Sequence, residues 1–220
     1  MKKAFKFAAG FTTAPQRSLL RGFTLIEMII TIFIFSVIAL GMIILISNMV
    51  TNSSRQSRLL AGSDQARKTA FQITNELRNA TSGATGAYSL GITEAQQLLF
   101  YSNVDQAADI ERVRYYTQNA KLYRGIVKPT GTPPVYNTGS EVSSVVIEDL
   151  ANGTNPIFYY YNDTYDGTFD NYLTQPVSIP QVRYIKSNLQ IYLTGGIANS
   201  QTYTVTSSAA IRNLKTNLGN

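Results

Sequence analysis

Two sets of side chains stand out for the chemistry they could do. Glu27 is the single charge in the 24 residues from Phe23 to Ile46, which are otherwise apolar or neutral. A carboxylate on a membrane helix costs about 2 to 3 kcal/mol even on permissive insertion scales, so Glu27 asks for a partner. The second set is Asp163, Asp166 and Asp170, grouped around Gly167 in "NDTYDGTFDN", residues 162–171. Carboxylates at short spacing suggest calcium, and counting from Asn162 places Thr164, Asp166 and Gly167 at the third, fifth and sixth positions of an EF-hand loop. Leu173 occupies the twelfth position, where a bidentate Glu is needed, so Asp and Gly supplying turn geometry is the simpler reading. The chain has no cysteine and no histidine. That removes Ser-His-Asp and Cys-His catalysis, thiol nucleophiles, disulfides and zinc-thiolate sites. No cofactor is expected and no catalytic residue is assigned. A glycosidase carboxylate pair lacks any cleft or aromatic platform legible in the sequence.

The elements that must position these residues begin with a helix. At about 1.5 Å per residue, the run from Phe23 to Ile46 is long enough to cross a bilayer core of about 30 Å. Beyond Asn48 the sequence turns polar, yet no proline occurs between Pro15 and Pro129. Leu59, Ser63, Ala66, Ala70, Ile73, Leu77 and Ala80 recur at alternating spacings of 4 and 3, which places them on one helical face. The pattern predicts one helix from about Thr24 to Ala80, apolar all round in its first half and striped in its second.

After "TSGATGAYSLG" the signal changes to strands. Segments 97–101, 111–117, 121–127, 156–162, 181–193 and 202–214 are rich in β-branched and aromatic residues, with Gly, Pro, Asn and Asp between them. The short link Gln118–Ala120 predicts an antiparallel hairpin. Tyr159, Tyr160 and Tyr161 are expected to alternate across a strand, and the connections 128–141 and 163–180 to be irregular. The fold class is therefore α+β, a long N-terminal helix packed on a C-terminal antiparallel β-sheet. The organisation is 1–22 leader, 23–48 apolar half-helix, 49–82 amphipathic half-helix and 83–220 β-rich head.

Charge agrees with a leader. The net charge is +6, but residues 1–22 contain Lys2, Lys3, Lys6, Arg17 and Arg21 and no acid, so the remainder is nearly neutral. This weakens a nucleic-acid reading. Arg55, Arg58, Arg67 and Lys68 read first as a solvated or headgroup-facing surface, with DNA contact the less favoured alternative.

A basic leader ending in Gly22, then "FTLIE", then about twenty apolar residues, resembles the class III signal of type IV prepilins and pseudopilins. The resemblance implies a type IV pilin-like fold, cleavage by a prepilin peptidase between Gly22 and Phe23, and N-methylation of Phe23. It further implies that Glu27, the fifth mature residue, meets the terminal amine of a neighbouring subunit during filament assembly. The partners implied are the peptidase, other pilin subunits, the inner-membrane assembly machinery and, before assembly, the lipid bilayer. The location implied is a single-pass cytoplasmic membrane protein with an extracytoplasmic C-terminal domain, moving to a surface pilus. Local counts of basic residues on either side of the apolar run do not decide the topology. The hairpin "RVRYYTQNAKLYRG" and the ending "AAIRN" resemble J-type pseudopilins and the corresponding minor pilins, which favours a low-copy, non-enzymatic subunit. Alternatives are a pseudopilin of a type II secretion or DNA-uptake machine and, from another class, a membrane-anchored surface hydrolase or binding protein.

Overall fold

The computed structural model describes residues 22–105, 107–193 and 201–211, so the leader through Arg21 and the expected strand residues 212–214 lie outside the described residues. A single helix, α1 (Leu25–Arg78), opens the fold. Within its first 30 residues, Leu25–Ser54, an 18-residue window reaches a mean hydropathy of 3.1, and none of that window is buried. The chain divides into two compact units, residues 1–50 and 51–220, and the second carries all of the sheet structure.

In the second unit the stripe on α1 meets the strands. Ala66, Ala70, Ile73 and Leu77 are buried as their spacing predicts. Ala80 is buried too, but beyond the end of the helix, where it bridges to Ser102. Alanines at 66 and 70 let the sheets approach closely, so that the Ser207 hydroxyl donates to the Ala70 carbonyl at 3.2 Å. Burying Ile73 and Leu77 contributes roughly 1.5 to 3 kcal/mol each.

The strands are β1 (Leu90–Thr93), β2 (Gln97–Ser102), β3 (Glu111–Gln118), β4 (Lys121–Val127), β5 (Pro129–Thr130), β6 (Val135–Tyr136), β7 (Val142–Ile147), β8 (Phe158–Tyr161), β9 (Tyr184–Tyr192) and β10 (Thr202–Ala210). They form an antiparallel five-stranded sheet in the order β1-β2-β3-β4-β7, a three-stranded sheet β10-β9-β8, and the small hairpin β5-β6. The expected β3-β4 hairpin is present. Its two linking residues, Asn119 and Ala120, both take positive φ, the backbone that a two-residue turn of matching twist requires.

Several expectations need correction. The strand material forms two main sheets where one was expected. β1 and β7 were not anticipated, and segment 128–141 holds a hairpin and a 3-10 turn. The strand expected from Gln181 starts at Tyr184, because Ile179–Gln181 is a 3-10 turn. Tyr160 and Tyr161 are both fully buried, although adjacent strand residues face opposite sides. The connection after β8 accounts for it, since its Tyr165 ring packs on Tyr161 and Tyr184.

Candidate functional site

The residues singled out at the N-terminal end of the chain come together at the start of α1. Gly22 and Phe23 precede the helix in exposed, non-helical chain, with Phe23 79% exposed. A side chain at position 22 would meet nothing within 4 Å, so the peptide linking Gly22 to Phe23 is open on that side.

Thr24 caps the helix and Glu27 answers it. Glu27 Oε2 accepts from the Thr24 amide at 2.9 Å and from the Thr24 hydroxyl at 3.0 Å. The Glu27 amide donates to Thr24 Oγ1 at 3.3 Å. This reciprocal arrangement is a capping box, in which the residue at the cap and the residue three further on satisfy each other's free donors. A carboxylate in the first turn also lies favourably against the positive end of the helix dipole. Thr24 therefore gives Glu27 a partner within its own helix start, before any neighbouring subunit is considered. Thr24 was missed, although Thr-x-x-Glu ahead of an apolar run is a legible signal.

The other polar groups in the apolar run are settled within the helix. The Thr31 hydroxyl donates to the carbonyls of Glu27 and Met28, each at 2.9 Å, and the Ser36 hydroxyl to that of Phe33 at 2.8 Å. Such internal bonds suit a segment without water around it. The surface left over is apolar on every side of the helix, from Leu25 and Ile26 through Met49 and Val50. One end of this surface carries Glu27, a carboxylate with two local donors on one oxygen, four residues after Phe23.

The comparisons bear on this segment. Residues 18–43 match the family described as the prokaryotic N-terminal methylation motif. The chain carries the class III signal of type IV pilins and pseudopilins. The match is confined to the N-terminal segment. A search of curated proteins gives no match.

The remaining candidates are placed differently. Asp166 Oδ1 accepts from the Thr168 amide at 3.0 Å and its hydroxyl at 2.7 Å, and these bonds hold its carboxyl below the ordinary range. Gly167 takes φ +96, which glycine adopts without strain. Asp163 and Asp170 do not join it in a cluster, since among the described residues no three Asp, Glu, His or Cys converge on one point. The loop is tied down from below by Lys186, whose ammonium donates to the Gly167 and Thr168 carbonyls at 3.2 Å and lies 3.6 Å from the centre of the Phe169 ring. Of the basic set, Arg67 donates to the Tyr203 hydroxyl at 2.8 Å and Lys68 pairs with Asp64 at 2.8 Å. The side chains of Arg55, Arg58 and Leu59 lie outside the description.

Sequence reading also missed two charge clusters that hold the head on α1 and on itself. Glu76 of α1 pairs with Arg124 at 2.6 Å and accepts from the Tyr115 hydroxyl at 2.8 Å. Burial, and then the Glu76 charge, push the Tyr115 phenol well above its ordinary value. Glu141 lies across β4 and takes Arg114 at 2.6 Å and Arg112 at 3.2 Å. Their members are far apart in sequence and carry no spacing signal.

Proposed function

We propose that this chain is a non-enzymatic structural subunit, a minor pilin, of a type IV pilus or related filament. On this reading a prepilin peptidase cuts between Gly22 and Phe23 and the new amine of Phe23 is methylated. The apolar half of α1 anchors the subunit in the cytoplasmic membrane and then packs against other pilins in the filament. The matched signal over residues 18–43 carries the proposal. The exposed, non-helical Gly22–Phe23 step and the capped helix behind it support it.

The capping box explains how one carboxylate serves two stages. In the bilayer, Thr24 supplies Glu27 with two donors and softens the cost of an unpaired charge. At assembly, the carboxylate receives the Phe23 amine of a neighbouring subunit. Breaking a buried pair by removing one partner typically costs about 3 to 5 kcal/mol, enough to set axial register even where the pair adds little net stability. The absence of His and Cys supports a structural role over the hydrolase alternative.

Two substitutions made in cells test the pairing. Glu27→Ala is expected to leave cleavage intact and to reduce incorporation into filaments. Thr24→Ala, which removes the cap hydroxyl and keeps the carboxylate, is expected to assemble. Normal incorporation of Glu27→Ala, or equal loss in both variants, removes the pairing role and leaves Glu27 as a helix cap only.

A further inference from the structure

The connection between β8 and β9 folds against the turn between β1 and β2, and a groove lies along the junction. One cavity of about 380 Å³, whose lining includes Pro156, Tyr159, Tyr172, Leu173, Thr174 and Gln175, falls within the size range of ligand clefts. The Tyr159 and Tyr172 rings stand edge to face, 5.2 Å apart at 79°, and make an aromatic corner in which Tyr172 is 52% exposed. A second cavity, along Thr93, Glu94 and Pro176, shares Gln175 with the first, so the two adjoin. The walls are fixed by the fold itself. The Ala95 amide donates to Gln175 Oε1 at 2.9 Å, the Leu173 amide to the Tyr160 carbonyl at 2.7 Å and the Ile157 amide to the Ala95 carbonyl at 2.8 Å. A preorganised groove lowers the ordering cost of binding.

Its chemistry narrows the ligand. Among the described residues no charged side chain lines the first cavity. The Gln175 acceptor is spent on Ala95, which leaves the amide nitrogen as a donor, and the hydroxyls of Tyr159, Tyr172 and Thr174 have no hydrogen-bond partner among the described residues. A ligand that suits this corner brings an apolar ring for the aromatic faces, carbonyls for the donors, and few donors of its own. Proline has the ring and the carbonyl and lacks the N–H. A pyranose, whose every hydroxyl brings a donor, suits it less well. In the second cavity Glu94 is exposed and without an ion pair among the described residues, so a negative charge stands beside the aromatic corner.

We infer that this groove binds an extended, proline-rich peptide segment in polyproline II form, with a Lys or Arg of that segment against Glu94. Prolines seat on the Tyr159 and Tyr172 rings, the peptide carbonyls accept from the free donors, and a ligand already in its bound conformation loses little entropy. The basic flank adds orientation and makes binding sensitive to salt. The inference does not rest on the filament reading. Every residue of the groove lies in the second compact unit, and binding is measured on purified protein.

The full chain in detergent is titrated against a fluorescein-labelled oligoproline of about nine residues with an arginine at each end, roughly 28 Å of polyproline II, and anisotropy is read. The expected result is saturable binding that weakens as salt rises. Tyr172→Ala, at an exposed ring on the connection, is expected to keep the wild-type Tm and to weaken binding about tenfold or more. Glu94→Gln is expected to remove the preference for the arginine-ended peptide over the same oligoproline without arginines. Val142→Ala, on the opposite edge of the five-stranded sheet from β1, is expected to bind as wild type. No saturable binding up to about 1 mM peptide overturns the inference, as does full binding in Tyr172→Ala or an equal loss in Val142→Ala. An arginine preference retained in Glu94→Gln overturns the pairing with Glu94. Saturable binding of maltoheptaose by titration calorimetry, with none of the oligoproline, gives the corner to a neutral sugar and overturns the peptide.

Discussion

Gly125 of β4 is the position where one methyl group should cost most for its size. A Cβ built there would lie 2.3 Å from Glu141 Oε1, 2.5 Å from its Cδ and 3.0 Å from its Cγ. No real contact is that short, so the carboxylate must leave. It is not free to do so, because Arg114 binds it through Nη2 at 2.6 Å and through Nε at 3.1 and 3.2 Å, and Ser143 donates to it at 3.1 Å. Arg114 is in turn held 4.0 Å over the Tyr116 ring. Hydrogen bonds to charged groups are worth about 1.5 to 3 kcal/mol net, and replacing glycine by alanine within a strand returns roughly 0.5 to 1 kcal/mol. Gly125→Ala should therefore destabilise the protein by about 1 to 2 kcal/mol, lowering Tm by about 2 to 8 °C. The assay is a double-mutant cycle by thermal unfolding in detergent. In a Glu141→Ala background the clash is gone, so the same Gly125→Ala change should be neutral or stabilising. An equal cost in both backgrounds would refute the proposed reason for glycine at this position, as would no cost in the wild type.

Other outcomes follow from the charge clusters. Glu76→Ala strands Arg124 and the Tyr115 hydroxyl beneath α1, where the paired side chains are only 11% and 14% exposed. The expected loss is about 3 kcal/mol, read as a fall in Tm of about 6 to 12 °C; a change under 2 °C would remove Glu76 as a fastening of the sheet to α1. For pH, burial alone would raise the Glu141 carboxyl, but hydrogen bonds and charge from Arg114, with help from Ser143 and Arg112, outweigh it and hold the group below the ordinary value of 4.5. Its stabilising contribution is thus fully present above about pH 4.5 and is lost as pH falls through the lower folded value. Unfolding measured across the acid range should show a shallower decline for Glu141→Gln than for wild type; parallel curves would contradict this.

Much of the architecture is legible because it rests on local pattern. The stripe from Ala66 to Ala80 and the hairpin around Asn119 are short-range signals, and the structure uses both. β7 was missed because "VSSVVI" starts in exposed residues with two adjacent serines, which dilutes the alternation; its edge is completed by Gln65 and Thr69 of α1 donating to the Val146 carbonyl at 2.9 and 3.2 Å. Sheet membership was equally out of reach, since β8 joins β9 and not β7 through pairings more than 20 residues apart. At the candidate site, Gly22, Phe23 and Glu27 were legible from type and spacing. The reciprocal bond to Thr24 lies in the same seven letters, but a charge in an apolar run signals a distant cation more strongly than a neighbouring hydroxyl and amide signal a cap.

The most direct test is the mass of the mature N-terminus, taken from protein isolated from its own cell membranes. Processing as proposed yields a chain that begins at Phe23 and carries one methyl group on its amine. A chain that still begins at Met1, or one cut after the apolar run beyond Ile46, would contradict the account.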